Sequence, residues 1–178
     1  LGSSMLYQFA TQGSAIGQGR QFDLFHGTEL AYWPEGVLDL LNQDLFPTLP
    51  QSPRTIALLE SVSYGRSGWW YNMSKEIEAG RIVRWRFCFI PYYVIPSKYR
   101  REPPADWMPS DVTERHADMV WETSPRYNGK RHKLDRQQMY WWETTRDEYK
   151  KNEQLHQFLT NFCATPEEGH QHSTPTII

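Results

Sequence analysis

The sequence has few cysteines, no long apolar run and no excess of basic charge. Its two cysteines, Cys88 and Cys163, are too few for a disulfide framework, and such sparse usage is typical of a reducing compartment. The longest apolar run, residues 87–95, is interrupted by a proline and is far too short to span a bilayer. The net charge is −2, so any contact with nucleic acid must come from local patches. These absences predict a soluble globular chain without a membrane segment.

The sequence has the length of one ordinary domain, 178 residues, and is rich in aromatic side chains. Its eight tryptophans are expected to pack in cores or between domains, and a carbohydrate-binding stripe is the alternative. The chain begins at Leu1 and stops at Ile178 without a terminating pattern. We interpret it as an internal part of a longer protein, with a processed complete domain as the alternative.

The first half has the pattern of an open α/β sheet. Residues 5–10 and 22–26 are predicted strands, and the uninterrupted apolar run at residues 56–59 predicts a strand covered on both faces. Helices are predicted at residues 34–45, from an apolar stripe, and at residues 67–80, from a serine cap to a glycine stop. Residues 83–89 alternate apolar and polar side chains, which predicts a fourth strand near an edge.

The second half has a helical pattern. Residues 91–133 are predicted to be irregular, with one short helix near residues 112–120. Asp135 and Gln138 form a capping-box pattern that opens a helix, and a short helix follows at residues 155–162. Thr165 and the proline and acids after it predict another helical turn. We therefore divide the chain into residues 1–95, part of an α/β sheet domain, and residues 96–178, an irregular and helical segment.

Two constellations at strand ends can carry chemistry. Thr28 and Glu29 follow the strand at residues 22–26, and a carboxylate at such an edge can polarise water and help organise magnesium in an ATPase. Residues 60–65, ESVSYG, follow the next strand, where hydroxyls can sense a phosphate. A solvated strand end and an ordinary strand-to-helix turn are the plain alternatives.

Taken in order, these motifs resemble the large subunit of bacteriophage terminases. The resemblance rests on HGTELAYW at residues 26–33, ESVSYG at residues 60–65 and FIPY at residues 89–92. It continues in an aromatic helix at residues 137–149 and in FCATPEE at residues 162–168. The likeness covers nearly the whole chain, and each motif alone is only moderately specific.

The resemblance implies a partial RecA-like P-loop ATPase sheet followed by a mostly helical linker. It also implies a full-length motor of the host cytoplasm that hydrolyses ATP with Mg²⁺ and packages double-stranded DNA with a portal and a small terminase subunit. Glu29 matches the catalytic glutamate. Thr28 stands where many relatives carry the aspartate that helps hold magnesium. The coupling motif, which relays nucleotide state to movement, matches Ser61, Val62, Ser63 and Gly65.

Two parts of such a motor are missing from this sequence. It has no G-x-x-x-x-G-K-[ST] phosphate loop, and the nearest stretch, residues 14–21, lacks the lysine and leads into another strand. We expect the loop upstream of Leu1, and the nuclease carboxylates outside the chain, since Asp106, Asp111 and Asp118 fall in the irregular region and are expected to face solvent. The chain alone is thus expected to be inactive and to hold no ATP or metal tightly.

Other interpretations stay open. The chain could be a non-catalytic aromatic-rich α/β scaffold, or part of another RecA-like nucleic-acid motor. The histidines and cysteine near the end could chelate zinc, although a site needs three or four converging ligands; they are His156, Cys163, His170 and His172. The basic residues 126–133 could contact a phosphate backbone, with a solvated loop as the alternative.

Overall fold

A computed structural model of the chain describes residues 22–95, 97–126 and 129–172. This part is mixed α/β: two parallel strands and six α-helices, joined by single-turn helical segments. The predicted strand at residues 5–10 and the glycine-rich residues 14–21 lie outside the described residues. No helix in these described ranges is both long enough and apolar enough to cross a bilayer.

The sheet pairs β1 (Leu24–Gly27) with β2 (Ile56–Leu59) in parallel, in a register that sets Leu24 opposite Ile56 and Gly27 opposite Leu59. The ladder continues past both ends, because the Ile56 amide donates to the Asp23 carbonyl at 2.8 Å and the Glu60 amide donates to the Gly27 carbonyl at 2.9 Å. Both strand predictions are confirmed. Parallel pairing also brings the two strand-end motifs to the same edge of the sheet.

The first core forms between the sheet and the helices on one of its faces. Helix α1 (Glu35–Leu40) continues into a π-helical turn (Leu41–Leu45), and its predicted apolar stripe is buried. Helix α2 (Gly68–Glu78) starts after Ser67, whose side chain makes no capping bond, and stops before Gly80, which has a φ of +72°. The buried members of the first core are Leu30, Val37, Leu38, Leu41, Leu45, Phe46 and Leu49.

The expectation that β2 is covered on both faces is wrong. Burial alternates along the strand, and the side chains of Leu24, Ile56 and Leu58 are 64%, 59% and 50% exposed. The opposite face, with Phe25, Ala57 and Leu59, packs on the first core. Among the described residues only one layer of helices covers the sheet, so one apolar face stays open.

The predicted strand at residues 83–89 is also wrong. Alternation persists, because Trp85, Phe87 and Phe89 are half-buried while Arg86 and Cys88 are exposed, but Val83 is 88% exposed and no ladder forms. A strand requires a neighbour to satisfy its amides and carbonyls. The described residues provide no such neighbour for this extended segment.

The second core is built from aromatic side chains and four helices: α3 (Asp111–Thr123), α4 (Arg136–Lys151), α5 (Leu155–Asn161) and α6 (Pro166–His172). All four predicted helices are confirmed, as is the capping box at Asp135. Gln138 completes that box with its buried side chain and also donates from Nε2 to the Tyr93 carbonyl at 3.1 Å. The buried members of the second core are Tyr92, Tyr93, Val120, Leu134, Trp142, Phe158 and Ala164.

The irregular segment before α3 is tied to α4 by polar contacts. The guanidinium of Arg136 donates to the carbonyls of Pro104, Ala105 and Trp107 at 2.7–3.0 Å. Glu143 accepts hydrogen bonds from Thr113, Ser110 and Trp107, including one from the Ser110 amide at 2.9 Å. Burial raises the pKa of its carboxyl, but together these hydrogen bonds lower it below its ordinary value. Absence of regular secondary structure therefore does not leave this segment loosely attached.

Candidate functional site

The two strand-end motifs meet at the carboxyl edge of the sheet. Beyond β1, the Leu30 amide donates to the Glu60 carbonyl at 3.2 Å, and the Ala31 amide donates to the Ser61 hydroxyl oxygen at 3.0 Å. Thr28 and Glu29 are exposed just before these contacts. The segment that follows Glu29 and the segment that begins the candidate coupling motif are thus joined by direct hydrogen bonds.

Side chains add two further contacts between the motifs. The rings of Tyr32 and Tyr64 pack with centroids 4.8 Å apart, and His26 Nε2 lies 3.3 Å from a carboxylate oxygen of Glu60. The pKa of Tyr32 is raised, first by burial and then by the nearby Glu29 and Tyr64. Tyr32 is therefore a neutral phenol close to the Glu29 carboxylate.

Glu29 has an unusual backbone conformation. Its φ of 58° and ψ of 39° are left-handed, which costs about 1–2 kcal/mol for a residue with a Cβ. Glu153 has a similar φ, but it occupies the position after α4, where a Schellman pattern of hydrogen bonds explains it: the Gln154 amide donates to the Tyr149 carbonyl and the Glu153 amide to the Lys150 carbonyl. No helix ends at Glu29. Strain of this kind, found at a sheet edge, motivates a functional hypothesis.

The coupling-motif segment contacts the last described helix. Gly65 is buried with a φ of 81°, and its carbonyl lies 3.2 Å from His170 Nδ1 on α6. The His170 ring packs edge-on against Tyr71 of α2 at 4.9 Å, and Lys75 of α2 pairs with Glu167 at 2.8 Å. Helix α6 therefore bridges α2 and residues 61–65.

Close packing reinforces this bridge. A Cβ atom added at Gly169 would lie 2.9 Å from both the Ser63 Oγ and the Cys163 Sγ. An alanine at this point of α6 would therefore require Ser63 or Cys163 to move. Val62, between these contacts, is exposed.

The arrangement forms a continuous series of contacts rather than a closed pocket. Ala31, two residues after the exposed Glu29, bonds to Ser61, and Ser63, two residues after Ser61, lies beside Gly169 of α6. The sequence predictions named the strand-end residues but neither the packing of Tyr32 on Tyr64 nor the contact of His170 with Gly65. The two tyrosines lie inside the motifs, so their shared aromatic character was an available signal, whereas nothing in the sequence pairs His170 with Gly65.

The other candidate sites have structural explanations. His170 is already engaged, and burial raises the pKa of the Cys163 thiol to about 12, which disfavours the thiolate that a metal requires. No group of three or more His, Cys, Asp or Glu side chains with metal-binding geometry occurs in the described ranges. In the basic run, Arg131 donates to the carbonyls of Trp121 and Glu122 at the end of α3. The three expected solvent-facing acids are exposed as predicted; they are Asp106, Asp111 and Asp118.

Comparisons with protein-family models, with curated proteins and with solved structures return no match for this chain.

Proposed function

We propose that this chain is the part of a terminase large subunit that follows the phosphate loop, in a motor that hydrolyses ATP to package double-stranded DNA. The proposal extends the small parallel sheet to a RecA-like ATPase sheet. Its strongest support is the junction at the sheet edge, where the Ala31 amide donates to the Ser61 hydroxyl oxygen next to Glu29. The full-length protein would act with a portal and a small terminase subunit.

In this proposal Glu29 is the base that orients and polarises the attacking water. Its carboxylate is exposed and its strained backbone fixes the direction in which the side chain leaves the strand. The exposed Thr28 hydroxyl and Glu29 carboxylate are oxygen donors of the kind that Mg²⁺ prefers, so these residues fit the metal side of a nucleotide site. Bound ATP would provide the phosphoryl group and Mg²⁺ would offset its negative charge, and the amides that cradle it would come from outside this chain.

Ser61 and Ser63 have a different role in the proposal, because they lie between Glu29 and α6. Ser61 bonds to the backbone two residues beyond Glu29, and Ser63 lies against Gly169. A displacement of the segment after Glu29 would therefore reach α6 along the chain from Ser61 to Ser63 and Gly65. The contacts on this route are the Ala31–Ser61 hydrogen bond, the packing of Ser63 on Gly169 and the Gly65–His170 hydrogen bond. This is the arrangement that a coupling motif requires.

The decisive experiment is Glu29→Gln in the longer protein. We expect nucleotide binding to persist and hydrolysis to fall by about 100-fold or more, because the amide keeps the shape and removes the base. Glu60→Gln is the matched control: Glu60 is an exposed glutamate directly beyond the neighbouring strand, paired with His26. Steady-state ATP turnover and calorimetric binding give the two readouts, and near-normal turnover of Glu29→Gln would remove the assignment.

A second test uses position 28. Because Thr28 is exposed, Thr28→Asp is expected to leave the melting temperature unchanged and to lower the Mg²⁺ concentration needed for hydrolysis. Unchanged Mg²⁺ dependence with normal turnover would mean that position 28 does not face the metal.

The chain itself offers a third test. It lacks the lysine and the backbone amides of a phosphate loop, so isothermal titration with ATP and Mg²⁺ is expected to show no tight binding. A micromolar dissociation constant would place a phosphate site within these 178 residues and overturn this part of the proposal.

A further inference from the structure

Two peptide planes determine the left-handed conformation of Glu29. Its φ of 58° depends on the orientation of the peptide between Thr28 and Glu29, and its ψ of 39° depends on the peptide between Glu29 and Leu30. This conformation is costly for a residue with a Cβ, so it persists only where the surrounding structure holds both planes. The hydrogen bonds made by the two planes therefore identify what keeps Glu29 in place.

The second plane is held by the sheet and by the turn that follows it. The Leu30 amide donates to the Glu60 carbonyl at 3.2 Å, beyond the end of β2. The carbonyl of the same peptide belongs to Glu29 and accepts from the Tyr32 amide at 3.0 Å, at the start of the single-turn helix Leu30–Tyr32. Both polar groups of this plane are bonded to the backbone, which fixes ψ of Glu29.

The first plane is held by a side chain. The indole Nε1 of Trp33 donates to the Thr28 carbonyl at 3.0 Å. The Trp33 ring packs on the first core, and the Trp33 amide donates to the Leu30 carbonyl at 3.1 Å. Pro34 follows directly, and its carbonyl accepts the hydrogen bonds that begin α1. The donor is thus anchored by the core, the turn and α1, and it holds the peptide that sets φ of Glu29.

Glu153 shows the same requirement at another place. Among the described residues it is the other non-glycine residue with a positive φ. The peptide before it is held because the Glu153 amide donates to the Lys150 carbonyl at 3.1 Å, and the peptide after it because the Gln154 amide donates to the Tyr149 carbonyl at 2.9 Å. The end of α4 provides both bonds there, whereas at Glu29 one of the two planes depends on a side chain.

The relative size of the two effects makes the Trp33 bond important for the conformation of Glu29. The free energy of one hydrogen bond is of the same order as the cost of left-handed backbone. Without the indole donor, the peptide between Thr28 and Glu29 would turn over and φ of Glu29 would return to a negative value. The bond lies at an exposed edge, so water can satisfy the Thr28 carbonyl and the rest of the fold would be retained.

We propose that Trp33 is a positioning residue that holds Glu29 in its left-handed conformation and so directs the Glu29 carboxylate. The effect on hydrolysis rests on the proposed function. A general base must lie within hydrogen-bond distance of the water that it activates, so a turned peptide would displace the carboxylate from its place. Trp33 acts through the backbone of Glu29 and has no contact with the reacting atoms in this role.

Nuclear magnetic resonance of the 178-residue chain tests the conformational part. A positive φ brings a residue's own amide and α-protons close together, so Glu29 should give a strong intraresidue nuclear Overhauser effect. This effect should weaken in Trp33→Phe, which keeps an aromatic ring and removes the N–H donor. The matched control is Trp85→Phe, because Trp85 is also half-buried against the first core and its indole makes no hydrogen bond within the described ranges. The signal of Glu153 should be unchanged in both variants.

ATP turnover of the longer protein tests the catalytic part. Trp33→Phe is expected to lower kcat at least about tenfold and to leave the dissociation constant of ATP unchanged, because only the base is displaced. Trp85→Phe should leave both quantities unchanged. If Trp33→Phe is less stable than Trp85→Phe, 3-benzothienylalanine at position 33 repeats the test, since sulfur replaces the indole nitrogen and the ring keeps its shape.

The combined results separate the proposal from the proposed function. A weakened Glu29 Overhauser effect with reduced kcat and unchanged ATP binding supports the proposal. An effect that stays strong in Trp33→Phe overturns it, and so does a weakened effect with normal turnover when Glu29→Gln is inactive. Normal turnover of Glu29→Gln rejects the proposed function, and the Overhauser effect then decides alone whether Trp33 fixes this backbone.

Discussion

The two cores of this chain differ in how completely they are enclosed. The second core is surrounded by helices and closed by polar contacts such as those of Arg136 and Glu143. The first core covers one face of a two-stranded sheet and leaves the other face apolar and exposed. Exposed apolar patches and open strand edges in a folded protein are surfaces that can pair with another polypeptide. The comparison teaches that, among the described residues, the second core is enclosed and the first core leaves an apolar surface of its sheet exposed.

The largest expected effect comes from the second core. Trp142 is 4% exposed and stacks on His116 with ring centroids 4.0 Å apart, so Trp142→Ala should lower the free energy of unfolding by about 3–5 kcal/mol. Trp121 on α3 is 49% exposed, and Trp121→Ala should change it by no more than about 0.5 kcal/mol. Urea denaturation followed by circular dichroism measures both. Equal effects of the two substitutions would contradict the enclosed core.

The next effect concerns the bridge between the regions. Gly169→Ala places a methyl group against Ser63 and Cys163, and we expect it to lower the free energy of unfolding by about 1–3 kcal/mol. Gly36 in α1 has no atom within 4 Å of an added Cβ, so Gly36→Ala should instead be neutral or stabilise by up to about 1 kcal/mol. Thermal melts of the two variants check the opposite signs. If Gly169→Ala is silent, α6 does not lie against Ser63.

The pH dependence of stability should come mainly from the second core. Burial, with Arg146 adding to it, lowers the pKa of His116 to about 3, against about 6.5 in an unfolded chain. Between these values the unfolded chain binds a proton that the folded chain does not. Stability should therefore fall as pH decreases from about 6.5 towards about 3, by up to about 1.4 kcal/mol per pH unit.

His116→Asn should reduce this slope between about pH 6.5 and 5 and leave the part contributed by His170, whose pKa burial also lowers, while His156→Asn, at an exposed position, should keep the whole slope. Glu143 and Glu167 have lowered pKa values, so their stabilising contribution is present above the ordinary carboxyl pKa and is lost only below this range. Urea midpoints at several pH values give the slope. An unchanged slope in His116→Asn would show that another group titrates.

The smallest effect is expected at the ion pair between the regions. Lys75 and Glu167 are 2.8 Å apart but partly solvated, so a double-mutant cycle with Lys75→Met and Glu167→Gln should give a coupling of about 1 kcal/mol or less. The coupling should weaken at high salt. A coupling several times larger would mean that α6 is held mainly by charge and not by the packing at Gly169.

Sequence reasoning succeeded where structure depends on nearby residues. The capping box at Asp135 and the buried stripe of α1 follow from spacings of three and four positions, and both are present. The strand at residues 83–89 and the second covered face of β2 each need a neighbouring segment that the described residues do not provide, and both predictions are wrong. The contact between Gly65 and His170 spans 105 positions, a separation at which local patterns carry no information.

The buried carboxamide of Gln138 gives the second region a natural spectroscopic reporter. Its Oε1 accepts from the Asp135 amide and its Nε2 donates to the Tyr93 carbonyl, with 1% of the residue exposed. Glutamine side-chain protons on a protein surface exchange readily with water, whereas these are enclosed between two backbone segments. The rate at which the Gln138 side-chain amide protons exchange with water therefore reports how often the junction between α4 and residues 92–94 opens. This rate does not depend on motion in the sheet.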